Sequence, residues 1–146
     1  MFDKKMVLND IFSVGNAQTR EEYIRVVVSK VLFYIAINRK LVGAMYLETA
    51  LVNLCLKGSA LIHLHKDVYE PLSEQYGASA TSVERAMRGC IRGCHEDGDL
   101  VKLNDLFTCQ VFDPQFSPTN GEFLSMVTSL ITFVSREYAP KFCKLS

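Results

Sequence analysis

Three arginines pose the chemical question in this sequence. Arg85, Arg88 and Arg92 recur at intervals of three and four residues, and on a helix of about 3.6 residues per turn they share one face. Guanidinium is the side-chain group best suited to gripping a guanine edge or a phosphate through two parallel hydrogen bonds. Val83, Ala86, Met87, Cys90 and Cys94 fall on the opposite face, an apolar stripe that would hold such a helix to a core. Just ahead, Ser79-Ala80-Thr81-Ser82 supplies a cluster of N-cap residues. Small hydroxyls and free backbone N–H groups at a helix start bind phosphate. Ser79, Thr81 and Ser82 therefore join Arg85, Arg88 and Arg92 as expected DNA contacts. Glu84 suits two tasks: closing a capping box as Thr81-x-x-Glu84, or accepting from a cytosine amino group. The same three arginines would serve equally as an ordinary solvated face.

A second constellation joins Cys90, Cys94 and His95 with His63 and His65 upstream. Cysteines one helical turn apart can chelate zinc. Here both lie on the apolar stripe, so they read as buried structural thiols, and neither a metal nor another cofactor is expected. No nucleophile–base pair, glycine-rich phosphate loop or paired-carboxylate pattern stands out, so no enzyme is expected.

The elements that must position these groups come from hydrophobic period and punctuation. The chain has 146 residues, 49% of them hydrophobic and 22% charged, which fits one domain with one core. Residues 1–18 are weakly patterned, and residues 1–20 read as an N-terminal extension to a domain over 21–146. Thr19 with Glu22 has capping-box spacing, so a helix is expected from Arg20 to Ile37, against a rival strand at Val26-Val27-Val28. A second helix covers Leu41 to Leu56 and ends at Lys57-Gly58. Residues 59–67 form a short helix or turn. Val68 to Tyr76 is a short helix broken by Gly77, and the arginine-bearing helix runs on to about His95. Helix, glycine-containing turn, helix is the layout of a helix-turn-helix. Asp97-Gly98-Asp99 is a turn, Leu100 to Phe107 a short amphipathic helix, and residues 108–118 a loop. Thr119 and Glu122 cap a closing helix whose Phe123, Met126, Val127, Leu130, Ile131 and Val134 form a core-facing stripe.

Charge and cysteine usage bound the setting. The five cysteines are an odd number, and the N-terminus leads into no long apolar run, so free thiols in a reducing cytoplasm are expected. The longest nearly apolar stretch, Val26 to Ile37, is interrupted by Ser29 and Lys30 and is too short for a bilayer. Net charge is zero, whereas nucleic-acid binders usually carry a basic excess. Residues 68–98 hold three arginines against Glu70, Glu74, Glu84, Glu96 and Asp97, a balance of minus two. Residues 1–40 hold seven Lys/Arg against four Asp/Glu, a balance of plus three, which would help DNA binding if that segment lay near the duplex.

The run Ser79-Ala80-Thr81-Ser82-Val83-Glu84-Arg85-Ala86-Met87-Arg88 resembles the recognition helix of the C-terminal effector domains of stage 0 sporulation protein A, which reads approximately T-A-S-R-V-E-R-A-I-R. Gly43-Ala44-Met45-Tyr46-Leu47-Glu48-Thr49-Ala50 is similar to that family's G-Y-L-Y-L-R-E-A. Ser117-Pro118-Thr119-Asn120-Gly121-Glu122-Phe123 is similar to its K-P-T-N-S-E-F. The resemblance covers roughly residues 24–138. It implies an all-α, six-helix-type, winged-helix-like effector domain that binds a promoter box on double-stranded DNA as tandem dimers, with Glu84, Arg85 and Arg88 on the recognition helix. Arg92 is added from helix geometry alone.

Several departures qualify what is inherited. Ser82 stands where the family has an arginine that reads guanine, and losing one bidentate contact removes about 1–3 kcal/mol of discrimination. Ser117 replaces a lysine, and Glu70, Glu74 and Gln75 replace a more basic scaffold. Only a short stretch precedes the similar region, so no phospho-acceptor receiver domain is expected. The apolar run Val31-Leu32-Phe33-Tyr34-Ile35 suits either core burial or a dimer interface. The reading is a sequence-specific transcriptional regulator, resembling the sporulation effector. The alternative is a non-reading paralogue acting by protein–protein contact, as homodimer or as heterodimer with a full-length regulator.

Overall fold

The computed structural model describes residues 2–58, 62–107 and 110–140, and among them there are helices and no strand. The described residues therefore hold no β-hairpin of the kind that a wing would need. In chain order the α-helices are α1 (Lys4–Phe12), α2 (Arg20–Tyr34), α3 (Val42–Lys57), α4 (Glu70–Tyr76), α5 (Ala80–Asp97) and α6 (Asn120–Tyr138). A π-helical turn (Leu64–Tyr69) leads into α4, and a 3-10 segment (Leu100–Leu106) follows α5. No helix among the described residues is long and apolar enough to cross a membrane.

The centre is α3. It packs on α2, α5 and α6 and buries Ala44, Tyr46, Leu47, Ala50, Leu51, Val52, Leu54 and Cys55. Its end follows the usual rule: Gly58 is left-handed (φ 70°) and donates to the Leu54 carbonyl, a conformation that costs glycine least. Arg20 supplies a second cap from α2, donating 3.1 Å to the Leu56 carbonyl and 3.0 Å to that of Cys55.

Val26-Val27-Val28 is helical, not a strand. Val27 and Val28 are fully buried, so packing outweighs their β preference. α2 stops at Tyr34, three residues earlier than expected. Ala36 takes a left-handed backbone (φ 56°) and the Ile37 N–H donates to the Leu32 carbonyl, a helix-ending motif that usually recruits glycine. The apolar run within α2 is divided. Val31, Leu32 and Ile35 are fully buried, whereas Phe33 is 84% exposed.

The weakly patterned N-terminus forms α1, capped by Asp3, whose carboxylate accepts from the Met6 N–H. Its partners lie elsewhere in the chain. Phe12 is fully buried and sits 6.2 Å from the Tyr138 ring. The Tyr23 hydroxyl donates 2.7 Å to the Phe12 carbonyl. α1 thus meets the C-terminal end of α6.

Candidate nucleic-acid interface

The turn before α5 is built from local hydrogen bonds. Pro71 lies in the first turn of α4, which continues directly from the π-helical turn. Gly77 then turns left-handed (φ 69°) and donates to the Ser73 carbonyl, while the Ser73 hydroxyl donates to the Ala78 carbonyl. Ser79 is extended and caps α5. Its Oγ accepts from the Ser82 N–H at 3.1 Å, and its hydroxyl donates 2.9 Å to Ser82 Oγ.

This cap corrects one expectation. Thr81 and Glu84 do not form a capping box, because Ser79, two residues earlier, is the N-cap. Thr81 lies in the first turn with an exposed side chain. Glu84 instead pairs with Arg88, one turn on, at 3.1 Å. Ser82 is exposed too, but its hydroxyl is engaged with Ser79.

The two faces of α5 separate as the spacing requires. Val83, Met87, Cys90, Ile91 and Cys94 are buried. Ala86 is only half-buried, and Ile91 completes the stripe in its stead. Arg85, Arg88 and Arg92 are exposed. Among the described residues, only Arg88 of the three has a carboxylate within ion-pair distance.

Two contacts fix where that face points. Gly43 of α3 lies against Ala86 and Cys90, so that a Cβ there would collide with the Ala86 carbonyl oxygen and reach within 2.8 Å of Cys90 Cβ. Asn120, at the start of α6, is 6% exposed and donates 3.1 Å to the Glu84 carbonyl and 3.0 Å to the Tyr69 hydroxyl. Thr119 and Glu122 form the expected capping box around it. A cleft of about 320 Å³ opens where these elements meet, lined by Glu84, Arg88, Arg92, Ser117, Asn120 and Gly121 among others. Residue spacing on α5 alone could not place Ser117, Asn120 and Gly121 beside the arginines. The signal available was the Pro-Thr-Asn-x-Glu-Phe likeness.

The positive N-terminal segment is divided: α1, with Lys4 and Lys5, lies away from this face, whereas Arg39 and Lys40 run into Gly43, which touches α5. Asn120 meets α5, and Tyr138, at the other end of α6, meets α1. Those ends are about 27 Å apart at 1.5 Å per residue. Arg20, Lys30 and Arg39 are moreover engaged within the fold, with the Cys55 and Leu56 carbonyls, the Asp10 carbonyl, and Glu48 with Ser29.

The cysteine–histidine constellation does not assemble. Burial pushes the thiols of Cys90 and Cys94 up to about 11 and about 12, and that of Cys55 to about 12, which disfavours the thiolate a metal needs. Cys94 donates to the Ile35 carbonyl, and a His95 ring nitrogen lies 2.8 Å from the Asp113 carbonyl oxygen. Cys109 and Cys143 lie outside the described residues.

The exposed arginine face, the capped turn before it and the buried stripe behind it form one unit, held at Gly43 and Asn120. The family model described as Sporulation initiation factor Spo0A C terminal matches residues 28–131.

Proposed function

The chain belongs to the Spo0A C-terminal family of sporulation initiation factors, a DNA-binding effector-domain family, and from that premise we propose that it is a transcriptional regulator that reads promoter DNA with α5. The observation that carries this reading is the amphipathic division of α5. Its apolar stripe is buried in the core while Arg85, Arg88 and Arg92 face outward. A helix-turn-helix places the N-terminal part of its second helix in the major groove. Ser79, Thr81, Ser82, Glu84 and Arg85 occupy that part here.

Base reading falls mainly to Arg85. Ser82, held in the cap, cannot make the bidentate guanine contact of an arginine. Glu84 and Arg88 hold each other, which orients both side chains and cancels one positive charge. The protein on this reading binds the family's promoter box with less discrimination than an arginine at position 82 would give.

Mobility shifts test this, with a duplex carrying the promoter box and a scrambled duplex of equal length, at low and moderate salt. A shift on both, stronger on the box, is expected. Ser82→Arg should tighten binding to the box by roughly 5- to 150-fold, the equivalent of about 1–3 kcal/mol for a bidentate contact. No shift on either duplex, even at low salt, overturns the reading.

A further inference from the structure

We infer that the cleft between α5 and the start of α6 seats a backbone phosphate of bound DNA, with Arg92 as its principal cation. This rests on the DNA-binding reading and adds a role for residues outside the recognition positions.

The cleft is lined by Arg88 and Arg92 from α5 and by Ser117, Thr119, Asn120 and Gly121 around the α6 N-terminus. Its charge is unevenly committed. Glu84 pairs with Arg88 at 3.1 Å, whereas Arg92 has no carboxylate within ion-pair distance among the described residues. Glu122 is occupied with the cap, accepting from the Thr119 N–H at 2.9 Å. The uncompensated charge at the cleft is therefore the Arg92 guanidinium.

The α6 end adds polarity of the same sense. Its 19 residues present the positive end of a long helix dipole. Asn120 supplies a further mark of an absent partner. It is 6% exposed, its Nδ2 is committed to Tyr69 and to the Glu84 carbonyl, and its Oδ1 is buried without a donor. Asn120 lines the cleft, so this unmet acceptor lies in its wall.

Position along α5 selects phosphate over base. Arg92 lies about 15 Å further along the helix axis than Ser82. That exceeds the major groove's width of about 12 Å. With the N-terminal turn of α5 at the base edges, Arg92 meets the groove wall, where phosphates line the strand. Ser117 also lines the cleft, and its hydroxyl, which here makes a long 3.4 Å bond to the Pro118 carbonyl, would turn to the same group.

Salt dependence of binding is the test, since each phosphate neutralised contributes about 0.9 to the slope of log affinity against log salt. Anisotropy titrations on the box and scrambled duplexes would compare wild type, Arg92→Gln and Ser117→Lys. Arg92→Gln should lower the slope by about 0.9 and weaken both duplexes by the same factor. Ser117→Lys should raise the slope by about as much, a gain that no folding defect can mimic. If wild type binds and neither variant moves the slope, the phosphate seat is wrong while the DNA-binding reading stands. If Arg92→Gln weakens only the box, Arg92 reads a base and the inference falls. If wild type binds neither duplex, both fall. Inorganic phosphate titrated into DNA-free protein at constant ionic strength should leave its melting temperature nearly unmoved. A tight, saturable rise abolished by Arg92→Gln would assign the seat to a free anion and overturn the inference.

Discussion

α3 and α5 are of similar length and lie against each other, yet they use their residues in opposite ways. α3 buries side chains around much of its circumference, from Ala44 and Tyr46 to Leu54 and Cys55. α5 buries one stripe and leaves three arginines in water. Both carry runs similar to the family's, so likeness of sequence alone does not separate their tasks. The difference shows which likeness reports packing and which reports contact with a partner. Tyr46, Leu47 and Ala50 are held in place by the core, whereas nothing in the core requires Arg85.

The largest expected effect tests where the two helices touch. In Gly43→Ala the new methyl group would collide with the Ala86 carbonyl and crowd Cys90. Both are parts of α5 that cannot swing away as a flexible side-chain end could. Overpacking of this kind costs about 1–3 kcal/mol. Thermal unfolding should show a melting temperature lower by several degrees, with DNA affinity falling only as α5 shifts. A fully stable Gly43→Ala protein would mean that α3 and α5 are not this close.

Arg85→Ala is the converse experiment. Arg85 is exposed, so stability should change by less than about 0.5 kcal/mol. Affinity for the promoter box should fall by about 1–3 kcal/mol, with relaxed preference at one base pair. If stability falls and box preference is kept, the division of labour between the helices is drawn in the wrong place.

Legibility in the sequence follows the same division. The amphipathic period of α5, the Gly58 and Gly77 stops and the Thr119–Glu122 box are local signals, and each stands in the structure. The Thr81–Glu84 box failed because the Ser79-Ala80-Thr81-Ser82 run offered several equivalent caps. Only the fit of the preceding turn selects Ser79. α1 was missed for a different reason. It carries Lys4 and Lys5 in its first turn and Asp10 near its end, the wrong polarity for the helix dipole, so docking of Phe12 under Tyr23 and Tyr138 holds it rather than propensity. The cleft was illegible because it joins residues far apart in the chain through the Asn120–Glu84 contact.

A smaller effect probes the cap. Ser79→Ala removes the acceptor for the Ser82 N–H and frees the Ser82 hydroxyl. Loss of such a cap costs about 0.5–2 kcal/mol, and the start of α5 should fray. DNA affinity should then fall on box and scrambled duplexes alike, since the fraying disorders the whole N-terminal turn. Amide exchange of residues 82–84 would report it directly. Unchanged protection there would show that the turn, and not the hydroxyl, sets the helix start.

The smallest effect concerns the link between the buried helix and the DNA-facing unit. Lys57, the last residue of α3, pairs at 2.8 Å with Asp67 of the π-helical turn that leads into α4. That bond, and a second from the His63 N–H, hold the Asp67 carboxyl below its ordinary value of 3.8. A carboxyl depressed in the folded state contributes stability that is fully present above its unfolded pKa and is lost as pH falls through the folded value. The contribution should therefore be intact at neutral pH, begin to fall below about pH 4 and be gone once pH drops through the lowered folded value. Lys57→Met would remove the first-named cause. Denaturant unfolding of wild type and Lys57→Met should then differ at neutral pH and converge in acid. A gap that stays constant across the range would mean that the ion pair does not couple α3 to the turn, leaving the packed α3–α5 face and the Thr49–Tyr76 hydrogen bond to do so.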